Sequence, residues 1–266
     1  MRLDIYLTEK NLINSRERGK RLIKDGKVTV NGVVCTKPSF EVNDEDDISV
    51  ENAPDYVGRG LIKLETAFQT FKLDINNKIC ADIGASTGGF TQCMLRYGAK
   101  KVYAVDVGHG QLDSSLVSNP MVVNCEGVNA RYLTADFFNE IPEFMGVDLS
   151  FISLTLVMPA ITACLHSDGD LVVLIKPQFE AGKQALNKKG IVKNPKDHIR
   201  VLKTLFDFFV ELGLTVNDAV PSAIRGGDGN IEYLAHLKKY AEIAHKDINI
   251  NALVKSAFDG FSDEIF

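Results

Sequence analysis

From about residue 58 onward the chain alternates short apolar runs with segments of helical period. The runs are 78–83 (KICADI), 101–107 (KVYAVDV), 121–125 (MVVNC), 147–154 (VDLSFISL), 170–177 (DLVVLIKP) and a late 233–237 (YLAHL). Runs this short, rich in Val, Ile and Leu, predict buried strands. Their alternation with helical segments predicts an α/β fold with a mostly parallel sheet covered by helices on both faces. Ligands in such folds sit beyond the C-terminal strand ends, near the point where the strand order reverses.

The first fifty residues have a different texture. Asn14 with Glu17 three residues on resembles a capping box, predicting a helix that runs to Lys24 and stops at Asp25-Gly26. The alternating segments 28–30 and 33–35 flank Asn31-Gly32, a strong hairpin signal. The expected unit is a small α+β module of two helices and a hairpin. Acidic residues then crowd 41–51, and Asn52-Ala53-Pro54-Asp55 has turn chemistry. This composition shift divides the chain into a module at 1–50, a linker at 51–58 and a large domain at 59–266. The stretch 241–266 reads as a helix with an acidic end.

Charge sharpens this division. Net charge is −5 over 266 residues, yet residues 1–37 hold nine Lys/Arg against four Asp/Glu, and Arg16, Lys20 and Lys24 share one helical face. The first module is therefore a local cationic surface on an acidic protein. The five cysteines form no C-x-x-C pair and the five histidines are scattered, so neither a metal site nor a disulfide framework is expected. The N-terminus lacks the apolar core of a secretory signal. The most apolar stretch, 149–165, is broken by Ser, Thr and Pro and falls short of the roughly 20 residues of a membrane helix, so it is expected as buried core. A cytoplasmic protein without membrane partners is expected, and no oligomeric state follows from the residues.

The run RLDIYL, then SRERGKRLIKDGKVTVNG, then Lys37-Pro38 resembles the S4 RNA-binding domain. The resemblance implies that Arg2, Arg16, Lys20 and Lys37 contact phosphates of folded RNA, positioning the protein without reading sequence.

In the large domain, Asp82-Ile83-Gly84-Ala85-Ser86-Thr87-Gly88-Gly89-Phe90 joins a strand to a helix through a Gly-rich turn. Its spacing departs from the G-x-G-x-x-G of dinucleotide sites, with Ser86 at the middle Gly position, which disfavours NAD. S-adenosylmethionine carries no phosphate. It needs close backbone approach to its aminoacyl arm and acceptors for an ammonium and two ribose hydroxyls. Asp82 and the loop suit the first needs. Asp106, 22 residues after Gly84 at the end of the second strand, suits the ribose. DIGASTGGF followed by VDVG resembles a class I (Rossmann-like) methyltransferase. The expected cofactor set is Asp82, Gly84, Ser86, Thr87, Gly88, Phe90, Asp106 and Asn129.

Four further segments carry candidate chemistry: GRGLIKL with Lys63, DLSFISL with Asp148, KPQFE with Lys176 and GNIEY with Glu232. Lys176 follows an apolar run, Asp148 is expected inside a strand, Glu232 opens the last strand and Lys63 lies on the first helix of the domain. Spacing alone is equally compatible with ion pairs at the rim. Together these segments resemble the haemolysin A-type (TlyA) family, which shares the Lys-Asp-Lys-Glu tetrad of FtsJ-like 2′-O-ribose methyltransferases and methylates cytidines of ribosomal RNA. The resemblance covers nearly the whole chain. It implies Lys63, Asp148, Lys176 and Glu232 as the catalytic set, and a start directly at RLDIYL resembles the shorter members, which favours the large ribosomal subunit as partner.

Arg59, Arg131 and Lys183, with Lys188, Lys189 and Lys193, are candidates to extend the RNA track, and Phe151 to stack on a displaced base, although a core position for Phe151 fits the sequence equally. Two other classes of function remain open at this stage: an RNA- or ribosome-binding protein with a non-catalytic methyltransferase fold, and a haemolysin acting on membranes. S4-like modules also precede pseudouridine synthases, but the Gly-rich cofactor loop does not belong to that class.

Overall fold

The structure, a computed structural model, describes residues 1–10, 12–13, 16–51, 56–239 and 248–261. The chain forms two compact units, Met1–Val57 and Gly58–Phe266.

In the first unit, α1 (Leu3–Glu9) and α2 (Arg16–Lys24) pack on a small antiparallel sheet of β1 (Val28–Val30), β2 (Val33–Val34) and β3 (Ile48–Val50), in the order β2-β1-β3. The hairpin turns at Asn31 and Gly32, both with positive φ (52° and 76°), which is the backbone twist that a two-residue hairpin requires. Leu3, Leu7, Leu22, Ile23, Val28 and Val42 fill the core. The cap expected at Asn14 lies outside the described residues.

In the second unit the elements run α3 (Gly60–Phe71), β4 (Ile79–Ile83), α4 (Gly89–Arg96), β5 (Lys101–Asp106), α5 (Ser114–Val117), β6 (Val122–Glu126), β7 (Phe144–Val147), α6 (Leu154–Cys164), β8 (Asp170–Ile175), α7 (Pro177–Glu180), α8 (Pro195–Glu211), β9 (Leu214–Pro221), β10 (Tyr233–Lys239) and α9 (Ile250–Gly260). The sheet order is β6-β5-β4-β7-β8-β10-β9. The first five of these strands are parallel, as expected of a class I methyltransferase, and β10 runs antiparallel between β8 and β9. β4, the first strand in sequence, lies centrally with β5 on one side and β7 on the other. The connections therefore diverge there, and a crevice opens at the C-terminal ends of these strands. Every residue of β4, β7 and β8 is buried, because helices cover both faces.

Three expectations change. The run 147–154 is not a strand: β7 is Phe144–Val147, and Asp148 stands just past its end. The chain then turns through Phe151 at φ 63° and enters α6, whose N-cap Ser153 accepts from the Thr155 amide, while Glu180 accepts from the Leu154 amide at 2.8 Å. An apolar pattern alone could not show this, since loop and strand residues here are equally hydrophobic. β9 was not singled out by the pattern, because Asn217-Asp218 interrupts its alternation. In the C-terminal stretch, α9 covers only Ile250–Gly260, and both the residues before Ile248 and the acidic end fall outside the described residues. Of the apolar stretch 149–165, Leu154, Val157, Met158 and Ile161 are buried, as expected of a core segment. Among the described residues no helix is long and apolar enough to cross a membrane.

Candidate active site

The Gly-rich turn between β4 and α4 is shaped by close approach. Gly84 (φ 93°) would place a Cβ 2.4 Å from the Asp148 carbonyl oxygen, so a side chain there would push β7 away. The Gly84 and Ala85 amides donate to Val105 O, and the Ser86 amide donates to Asp106 Oδ2 at 2.8 Å. Ser86 itself has φ 47° and is exposed, while Gly88 (φ 94°) precedes the first turn of α4. The loop is thereby tied to the ends of two neighbouring strands.

Asp82, on the buried strand β4, has no exposed surface. Its Oδ2 accepts from both the amide and the hydroxyl of Thr91, at 2.8 and 2.7 Å, and its Oδ1 has no hydrogen-bond partner. Desolvation pushes its carboxyl up to about 7, against the pull of the Thr91 bonds. A buried acceptor left unpaired costs about 1–3 kcal/mol, a cost that a cationic or amide ligand would relieve. Asp82, Ala85, Thr87, Phe90, Asp148, Ser150 and Lys176 border a cavity of about 200 Å³. Phe90 is buried, and its ring lies where Cβ atoms on Gly60 and Gly146 would stand.

A larger cavity of about 440 Å³ adjoins it and shares Gly84, Ser86, Asp148 and Ser150. Asp106, Asn129, Val107, Leu149 and Ile152 complete its wall. Asp106 is oriented by the amides of Ser86 and Gly108, one on each oxygen, and Asn129 caps the turn at Ala130–Tyr132 by accepting from the Arg131 amide. The pair of cavities thus offers an apolar wall, a carboxylate held at a strand end and a second buried carboxylate with an open oxygen. That donor and acceptor set fits S-adenosylmethionine: Asp106 would take the ribose, Asp82 the ammonium side, and the Gly84–Ser86 backbone the aminoacyl arm. Of the rest of the expected set, Thr87 and the buried Phe90 border the smaller cavity, and a Cβ on Gly88 would meet Leu116 and Leu112.

The four tetrad residues meet at the same edge of the sheet as two ion pairs. Lys63, in the first turn of α3, lies 2.6 Å from Glu232 Oε2, although 169 residues separate them. Lys176 Nζ lies 2.7 Å from Asp148 Oδ1 and donates to Ser150 Oγ at 2.8 Å. The approach to Asp148 is off the hydrogen-bond direction, which leaves that carboxylate oxygen buried without a hydrogen bond. Tyr233 pairs with Ile175, so Glu232 and Lys176, each one residue further, stand side by side. Because β10 is antiparallel, its N-terminal end reaches the C-terminal edge of its neighbours. A Cβ on Gly226 would come 2.5 Å from Glu232 Oε1, so the loop before β10 closes directly on that carboxylate. Three of the four residues are buried, and these are not rim contacts: Lys63, Lys176 and Glu232 are 7, 8 and 2% exposed, while Asp148 is half-buried. Ser150 was not anticipated, and the only sequence signal for it is its place two residues after Asp148.

The candidate RNA residues divide by unit. In the first, the fully buried Asp4 draws in Arg2 and Arg16, each at 2.9 Å, while both guanidinium side chains stay nearly half exposed. The Arg2 bond and the adjoining Arg16 hold the Asp4 carboxyl down to about 2. Lys20 is half-buried and Lys37 exposed. In the second, Arg59, Arg131 and Lys183 are exposed, with Arg59 bordering the smaller cavity. Phe151 is 88% exposed, in left-handed backbone, at the mouth of the larger cavity, with Phe179 5.1 Å from it. It is therefore not a core residue.

Comparison with known proteins agrees with this geometry. The FtsJ-like methyltransferase family matches residues 56–239, and the S4 domain matches residues 1–48. Hemolysin A of Brachyspira hyodysenteriae is 43% identical over 237 residues, covering 89% of this chain and 99% of that protein. The 16S/23S rRNA (cytidine-2′-O)-methyltransferase TlyA of Mycobacterium tuberculosis is 38% identical over 245 residues, 91% of each chain. A solved structure described as a candidate hemolysin from Streptococcus thermophilus superposes with a TM-score of 0.81 at 40% identity, over 99% of this chain and 98% of that one. The chain belongs to the FtsJ-like methyltransferase family and carries an S4 domain ahead of the methyltransferase domain.

Proposed function

We propose that this FtsJ-like methyltransferase transfers the methyl group of S-adenosylmethionine to the 2′-hydroxyl of a cytidine in ribosomal RNA, with the large subunit as the favoured substrate. The observation that carries the reading is the pair of buried Lys–carboxylate contacts, Lys63–Glu232 and Lys176–Asp148, on the strand edge that borders the cofactor-sized cavity. The names of relatives that match nine-tenths of the chain or more support the substrate.

Bound S-adenosylmethionine would supply an electrophilic methyl on its sulfonium, and the protein must supply alignment and a path for one proton. Lys176, which borders the smaller cavity, is placed to hold the incoming 2′-oxygen and to take its proton when the lysine is neutral. Asp148 and Ser150 fix its ammonium end, and Lys63–Glu232 beside them sets the local field. By holding the 2′-oxygen in line with a donor bound beside it, the site would replace a bimolecular encounter with an intramolecular one. Gly84, Ser86, Asp82, Asp106 and Asn129 hold the donor. Residues 1–50 serve as the RNA-binding domain through Arg2, Arg16, Lys20 and Lys37, joined by 51–58 to the catalytic domain at 59–266. Arg59, Arg131 and Lys183 continue the phosphate contacts, and the exposed Phe151 stacks on a base displaced towards the cavity. Such a substrate places the protein in the cytoplasm.

The test is methyl transfer from labelled S-adenosylmethionine to purified large and small ribosomal subunits, followed by nucleoside analysis. Formation of 2′-O-methylcytidine that is lost in Lys63→Ala and Lys176→Ala supports the reading. Cofactor binding with no transfer to either subunit overturns it in favour of a binding-only protein.

A further inference from the structure

The turn at 187–190 (NKKG) is held by a set of local hydrogen bonds. The Asn187 side chain accepts from the Lys189 and Ile191 amides at 2.8 and 3.0 Å, its amide donates to Ile191 O, and Gly190 takes φ 75°. Leu186 and Val192 bridge below it, so the turn is a short hairpin with Lys188 and Lys189 exposed at its tip. A lysine turn on a surface is ordinarily a solvated feature. This one is anchored at two points to the segment 230–233, which carries Glu232 and leads into β10.

The first anchor is Asn230, which is fully buried. Its Oδ1 accepts from the Val192 amide and its Nδ2 donates to Gly190 O, both at 3.1 Å. The second is His198, also fully buried, in the first turn of α8. Its Nε2 faces Val192 O at 2.9 Å, and a carbonyl can only accept, so that nitrogen carries the proton. Its Nδ1 therefore accepts from the Tyr233 hydroxyl, also at 2.9 Å. Asn230 and Tyr233 flank Glu232, and the Glu232 carboxylate is itself enclosed by Gly226 and paired with Lys63. Both sides of the tetrad acid are thus tied to one short lysine hairpin.

We infer that Asn230 and His198 are positioning residues which couple the Lys188–Lys189 turn to Glu232, so that an RNA phosphate held on the turn aligns the tetrad. The inference rests on the proposed RNA methylation and deepens it, by naming the sugar-phosphate backbone as the ligand of the turn. A displacement of about 1 Å in a reacting group can cost about a hundredfold in rate, so a hairpin that moves Glu232 by a fraction of that distance has a measurable effect.

Two measurements on the full chain test it. In the first, single-turnover methyl transfer to large ribosomal subunits is compared for wild type, K188A/K189A, Asn230→Asp and the combination. Asn230→Asp keeps the acceptor for Val192 and loses the donor to Gly190. It is expected to lower the saturating rate about tenfold with the apparent KM for subunits and the affinity for S-adenosylmethionine near wild type. K188A/K189A is expected to raise that KM and lower the saturating rate, and to lower the rate no further once Asn230 is replaced. Rate effects that multiply independently, or a folded Asn230→Asp protein with the wild-type rate, would overturn the coupling. In the second, amide exchange of the wild type is followed on addition of protein-free large-subunit ribosomal RNA. Joint protection of 186–192 and 222–233 is expected, and protection of the hairpin alone overturns the inference. This readout needs neither a variant that folds nor turnover. Absence of methyl transfer by the wild type would count against the proposed reaction while the exchange result still decides the coupling.

Discussion

The two strands β8 and β10 carry buried charge at both of their ends, and the two ends differ. At the lower end Asp170 opens β8 and meets three basic side chains: His236 Nε2 at 2.7 Å, Lys238 at 3.5 Å and Lys78 at 3.9 Å, with Phe71 stacked on the His236 ring. At the upper end Lys176 follows β8 and Glu232 precedes β10, each paired one-to-one, beside cavities and beside an Asp148 oxygen that has no hydrogen bond. A carboxylate surrounded by basic side chains on a closed edge has little left to offer a ligand. Charged groups with unused hydrogen-bonding capacity at a cavity do. The same strands thus hold a saturated cluster at one end and one with unused hydrogen-bonding capacity beside cavities at the other, and the difference lies in satisfaction, not in burial.

The largest expected effect breaks the upper end alone. Lys176→Ala should lower the single-turnover rate by about a thousandfold, within the range for loss of an acid–base group, and shift the urea midpoint less than a change at the lower end, because Asp148 keeps some contact with solvent. The lower end should answer in the opposite way. Asp170→Asn leaves its basic partners without a carboxylate and should cost about 3 kcal/mol of stability in urea unfolding, with the rate of the folded protein within about twofold of wild type. Parallel losses of rate and stability in both variants would remove the distinction.

Titration sharpens it, because two buried carboxylates shift in opposite directions. Burial pushes Asp170 up, but His236, Lys238 and Lys78 together hold it below the usual carboxylate range. Its folded form therefore binds protons more weakly than the unfolded chain. Its contribution is present above the ordinary range of about 4 and is lost as pH falls through the lower folded value. Asp82, raised to about 7 by desolvation, binds its proton more tightly when folded. Its contribution is full below about 4 and is lost as pH rises through 7. Urea unfolding from pH 3 to 9 should show the stability gap between wild type and Asp170→Asn closing in acid. Asp82→Asn should gain on wild type above pH 7 while losing affinity for S-adenosylmethionine. An Asp82→Asn protein that keeps wild-type cofactor affinity would separate Asp82 from the cofactor.

The smallest effect belongs to Phe151. Replacing it with Gly relieves left-handed backbone and should stabilise the protein by about 1 kcal/mol in urea unfolding, while the apparent KM for ribosomal subunits rises about tenfold from lost stacking. A change in stability without a change in KM would assign Phe151 no part in RNA binding.

Much of this site was legible in the chain. The glycines at 84 and 88, the acid closing β5 and the Asn31-Gly32 turn follow from local rules that link residue type to backbone conformation. The four tetrad residues were visible as types in their segments. Asp148 was misplaced within a strand, because the loop after β7 is as apolar as the strand itself. Phe151 fitted a core position equally well, because only its left-handed backbone turns the ring outward. Asn230 and His198 gave no signal, since their partners are backbone atoms 38 and 40 residues away for Asn230 and, for His198, the Tyr233 hydroxyl 35 residues away and a carbonyl 6 residues away across a turn.

Local sequence determined most of the strands, where the Gly-rich turn lies and which module is cationic, because apolar period, glycine placement and charge act over a few residues. Tertiary structure alone decided that Lys63 pairs with Glu232 and Lys176 with Asp148, and that a lysine hairpin is tied to both sides of Glu232. The Lys63–Glu232 pair and the hairpin ties depend on the antiparallel insertion of β10 between β8 and β9, which carries the start of one strand to the end of another, and the Lys176–Asp148 pair depends on the parallel pairing of β7 with β8; no local pattern encodes the order of strands in a sheet.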